Sequence, residues 1–74
     1  MDIKTIKALI KIAEANLKVA RREFKEIYNS QGKQEEHEWE DALDEAGRES
    51  YACEQVVRFL VGNLELIQNK SNNQ

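Results

Sequence analysis

Apolar side chains recur along the first thirty residues at alternating spacings of three and four. Ile3, Ile6, Ile10, Ala13, Leu17, Ala20, Phe24 and Ile27 keep that rhythm unbroken. A strand would need every second position, whereas a helix with a heptad seam needs this one. Asp2 stands where an N-cap belongs, and Asn29, Ser30, Gln31 and Gly32 are stop- and turn-forming types. The rhythm resumes at Trp39 and runs through Leu43, Ala46, Ser50, Cys53, Val57, Leu60, Leu64 and Ile67. The pattern predicts one helix over about residues 2–29, a second over about 34–68, and a disordered polar tail over 69–74. A connection of about five residues forces the helices antiparallel. The expected fold class is therefore all-α: a coiled-coil-like antiparallel two-helix hairpin, with residues 1–68 as its single domain.

This folding sets Ile3–Leu17 beside Cys53–Ile67. It also brings Arg21, Arg22 and Lys25 near Glu35–Asp44, where mutual ion pairing is expected. Trp39 begins the second seam and is expected to cap the core over Phe24 or Tyr28. Gly47 and Gly62 each cost about 1 kcal/mol of helix propensity relative to alanine. Neither is expected to break the helix, and Gly62 is the candidate for a close helix approach.

A second apolar row changes the picture. Ala8, Ile12, Ala15 and Val19 also run at helical spacing, at roughly 160° from the seam for 100° per residue. In the second helix, Ala52, Val56, Phe59 and Leu66 lie off the seam in the same way. A hairpin covers one stripe per helix, so the surplus is left in water. Medium apolar side chains are stabilised by about 1.5–3 kcal/mol each on full burial. Ala8, Ile12, Ala15, Val19, Val56 and Phe59 are thus the expected oligomer interface, with a homodimeric four-helix bundle as the simplest closed assembly and higher oligomers open.

Size and composition agree. A 74-residue chain with one cysteine, Cys53, has no internal disulfide to stabilise it, and chains this short are marginal alone. The lone thiol and the absence of an evident secretory leader or membrane span predict a cytoplasmic protein. The net charge of −3 argues against non-specific nucleic-acid binding. Residues 1–30 hold seven Lys/Arg and four Asp/Glu, while residues 31–74 hold four and ten. The helices are electrostatic complements.

Candidate chemistry is sparse. His37 with Asp41 one turn on gives at most an exposed pair of metal-ligating types, without the repeated inward acids of a di-iron bundle. Glu35–Glu49 holds eight acids in fifteen residues, yet it lacks the recurring acid pairs on two separate helices that mark all-α nucleotide pyrophosphatases. Imitation of a phosphate backbone is another use of such acids, blunted here by the basic end of the first helix. Lys4, Lys7, Lys11, Lys18, Arg21 and Lys25 form a flank that suits an anionic ligand. Cys53 falls on the seam and reads as a small apolar group. No nucleophile–base pair or phosphate-cradling glycine loop is present, so no enzyme, metal or cofactor is expected.

Tyr51 lies off the seam beside Arg48, and with Glu40 and Asp44 it forms the expected surface for another protein. Short dimerising helical hairpins occur among plasmid- and phage-encoded regulators and bacterial stress adaptors, an analogy of architecture that names no family. Two functions remain from this pattern. One is a non-enzymatic regulatory protein that assembles with itself and binds another protein; the other sequesters an anionic, nucleotide-like molecule at subunit interfaces.

Overall fold

The computed structural model describes residues 2–72, with side chains through Lys70. Helix α1 (Ile3–Tyr28) and helix α2 (Glu36–Asn72) lie antiparallel as a hairpin, joined by residues 29–35. The Cα trace extends over 59 × 15 × 15 Å, with a radius of gyration of 17.0 Å. A compact chain of this length would have a radius of about 11 Å. The molecule is a rod with much surface for its mass.

Every seam position of both helices is buried or half-buried, because the heptad rhythm keeps each of them turned toward the opposite helix. Among the described residues, the buried set is Ile6, Ala13, Leu17, Ala20, Trp39 and Ala46. Half of that set is alanine, which lets the helices approach but adds little apolar mass.

The ends of α1 follow from local chemistry. The Asp2 carboxylate accepts a hydrogen bond from the Thr5 backbone N–H at 2.7 Å, satisfying one of the donors that a helix start leaves free. At the other end, the Ile27 carbonyl accepts from the Ser30 hydroxyl at 2.7 Å, the Ser30 N–H at 3.0 Å and the Trp39 indole Nε1 at 2.7 Å. Gly32 takes a φ of +90°, a left-handed geometry that glycine adopts without strain and that lets the chain reverse. Trp39 is buried at this turn. Tyr28 beside it is exposed.

Three features depart from the sequence pattern. First, α2 runs on through Asn72 rather than ending near residue 68. No proline or glycine stops it, and Lys70 in the last turn suits the negative end of the helix dipole. Residues 73 and 74 of the expected tail lie outside the described residues. Second, Gly47, not Gly62, is the close approach. A Cβ at Gly47 would sit 3.4 Å from the Phe24 ring, whereas one at Gly62 would meet nothing within 4 Å.

Third, the ion pairs differ. Among the described residues, none joins Arg21, Arg22 or Lys25 to Glu35–Asp44. The one ion pair between the helices among the described residues is Arg21 to Glu54, at 4.0 Å. Helical side chains lean toward their own N-terminus. Arg21 therefore leans toward the open end while the early α2 acids lean toward the turn, and the two sets diverge. Glu54 leans back to meet Arg21, and Arg58 also bonds it at 3.0 Å.

Candidate interaction surfaces

With the seam closed, the two flanks of the hairpin carry different chemistry. On one flank, Leu9, Ile12, Asn16, Cys53, Val56 and Leu60 line an apolar groove near the open end. Asn16 and Cys53 continue it past Val19 to Glu23 and Glu49. It ends near the turn between Glu23, Ala42, Glu45 and Glu49. The flank is thus apolar along its middle and acidic at the closed end.

Of the expected interface residues, Ile12, Val19 and Val56 meet in this groove. Ile12 is 59% exposed, Val56 51% and Val19 42%. Phe59, 70% exposed, and Leu66, 63% exposed, extend the same side of α2. Ala8 is exposed and lines neither groove. Ala15 lines the opposite flank instead, with Glu14, Leu17, Lys18, Arg21 and Val57. Leu9, Asn16, Glu23, Glu45 and Glu49 belong to the groove although a search for apolar residues passes over the polar ones. Their signal is position: on α2, Ala42, Glu45, Glu49, Ala52, Val56, Phe59, Asn63, Leu66 and Lys70 keep an unbroken 3-4 spacing. That is a second heptad seam with charged ends.

The other flank carries the groove lined by Phe24, Glu40, Leu43, Asp44, Gly47, Arg48 and Tyr51. All four expected partner residues, Glu40, Asp44, Arg48 and Tyr51, are brought together here. Its floor exists because Gly47 leaves room for the Phe24 ring. Arg48 is held by Asp44 at 2.9 Å, which leaves Glu40 as the uncommitted carboxylate. Tyr51 is 64% exposed and offers an aromatic face at the rim.

The remaining reactive groups are dispersed. His37 Nε2 lies 3.8 Å from Asp41 Oδ2 on exposed surface. No group of three or more His, Cys, Asp or Glu with metal-ligating geometry occurs among the described residues. Cys53 is half-buried in the apolar groove. No described helix is long and apolar enough to cross a membrane. No family model, curated protein or solved structure matches the chain.

Proposed function

We propose that this protein is a small non-enzymatic regulator, acting as a homo-oligomeric helical bundle that binds and modulates another protein. The observation that carries this reading is the exposed row of Ile12, Val19, Val56 and Phe59 beside a seam that is already complete. A hairpin with three alanines among its six buried residues gains more from covering that row than from any rearrangement of its own. Contiguous exposed apolar surface of this kind marks association sites. The Tyr51 groove on the other flank supports the second half of the reading. It combines an aromatic rim with nearby charge, the make-up of interface anchors, and it stays open when the apolar flank is covered.

Sedimentation equilibrium tests the assembly. A concentration-dependent dimer at micromolar protein is the expected result, and a folded monomer throughout that range defeats the proposal. For the partner surface, Tyr51→Ala is expected to dimerise as the wild type does while losing capture of a bound protein.

A further inference from the structure

We infer that the apolar flank is covered by a second copy laid alongside in the opposite direction, with the two turns at opposite ends and α2 packed antiparallel on α2 of its mate. This deepens the proposed self-assembly and rests on it. Two twofold arrangements bring the flank of one rod face to face with the same flank of another. An axis parallel to the rods puts the turns together and lays α1 of one copy over α2 of the other. An axis across the rods puts the turns apart and lays each helix over its own counterpart.

Charge separates the two. Residues 16–53, the closed half, hold six Lys/Arg and ten Asp/Glu, whereas residues 2–15 with 54–72, the open half, hold five and four. Turns together would oppose two halves of charge −4. More locally, Glu23, Glu45 and Glu49 share one stretch of the flank near the turn, and none of them forms an ion pair among the described residues. In that arrangement, Glu23 of one copy would face Glu45 and Glu49 of the other across an interface with reduced screening.

With turns apart, the second seam of α2 complements itself. An axis passing between Val56 and Phe59 sets Val56 against Phe59, Ala52 against Asn63 and Glu45 against Lys70. The large Phe59 meets the smaller Val56 and the terminal Glu45 meets Lys70, with Glu49 opposite Leu66 one turn inward. The extension of α2 through Asn72 is what carries Lys70 far enough to serve. The arrangement also leaves the Tyr51 groove facing outward on each copy.

Two measurements test this. A spin label at Gln31→Cys, in a Cys53→Ser background, reports the distance between turns. Turns apart predicts roughly 65–70 Å from 1.5 Å per residue, whereas turns together predicts under about 20 Å given helix layers 8–10 Å apart. The short distance overturns the inference and leaves dimerisation standing; a monomer in the absence of label overturns both. The second measurement is charge exchange, read by dimer dissociation constants. Lys70→Glu is expected to weaken the dimer at least about fivefold, as is Glu45→Lys with Glu49→Lys, and all three together should restore most of the loss. If the double lysine variant tightens the dimer while Lys70→Glu changes nothing, the antiparallel arrangement is wrong.

Discussion

The two ends of the hairpin are built to different standards of completeness. At the closed end, Trp39 is buried, its indole satisfies the Ile27 carbonyl, and Phe24 lies against the gap left by Gly47. At the open end, Leu60, Leu64 and Ile67 remain half-buried, and Phe59 and Leu66 stand mostly in water. The closed end has its tryptophan buried and the Ile27 carbonyl satisfied within a single chain, although Tyr28 there stands exposed. The other has apolar mass that its own hairpin cannot reach. The contrast teaches where the hairpin is self-sufficient: the closed end buries its tryptophan, and the open end, despite the buried Ile6, leaves apolar surface for the proposed second copy to cover.

The most damaging way to break this contrast is at the closed end. Trp39→Ala removes the largest buried side chain and leaves the Ile27 carbonyl one donor short. Substitutions of this kind cost about 3–5 kcal/mol, a large share of a small domain's total stability. Loss of most helical circular dichroism at 25 °C is the expected result. Trp39→Phe keeps much of the burial and loses the hydrogen bond, so it should fall between the two.

At the open end the corresponding change should leave the fold alone. Phe59→Asp alters a side chain that is 70% exposed in the hairpin, so little of the monomer's stability depends on it. In the assembly it would place two carboxylates in an apolar seam. Losing about 1.5–3 kcal/mol of burial per copy raises the dimer dissociation constant by at least about a hundredfold. Sedimentation checks this, together with a melting temperature that no longer rises with protein concentration. An unchanged dimer would show that Phe59 is not in the interface.

The heptad rhythm made both helices and both seams legible, because a 3-4 spacing leaves a helix no other face to bury. What stayed hidden depends on register and side-chain direction. Arg21 reaches Glu54 rather than the acids at the start of α2, since the lean of helical side chains shifts each partner by about a turn. The choice of Gly47 over Gly62 as the close approach depends on which residue lies opposite, and only the folded hairpin puts Phe24 there. Trp39 meeting the Ile27 carbonyl depends on how the chain reverses through Gly32. Ala15 fell on the other flank because steps of three and four residues turn a helix by about −60° and +40°, so a row opposite the seam zigzags across its back. The four partner candidates were easier, being spaced at three and four on one helix. The polar members of the apolar flank escaped because an apolar search skips the residues that close a seam at its ends.

The two glycines sharpen the comparison at smaller scale. Gly62→Ala, at the open end, adds a methyl group where nothing lies within 4 Å, and is expected to stabilise the protein by about 1 kcal/mol through helix propensity. Gly47→Ala gains the same propensity but crowds the Phe24 ring at 3.4 Å. Its net effect should be near zero or unfavourable, and it should narrow the Tyr51 groove. Urea titrations of the two variants should differ in midpoint in that order.

The smallest effect sits at the open tip, in the cap of α1. Hydrogen bonds from the Thr5 side chain and then its backbone N–H hold the Asp2 carboxyl below the ordinary 3.8. A carboxyl whose folded value is depressed stabilises the fold fully above its unfolded value and loses that contribution as pH falls through the folded one. The loss therefore begins just above pH 4 and is complete below the depressed value. Asp2→Asn retains a capping oxygen but cannot titrate. Melting curves from pH 6 down to pH 2 should show the wild type's advantage over this variant shrinking across that window, while the other carboxylates contribute equally to both proteins and cancel. A difference that stays constant with pH would mean that the cap acts by shape rather than by charge.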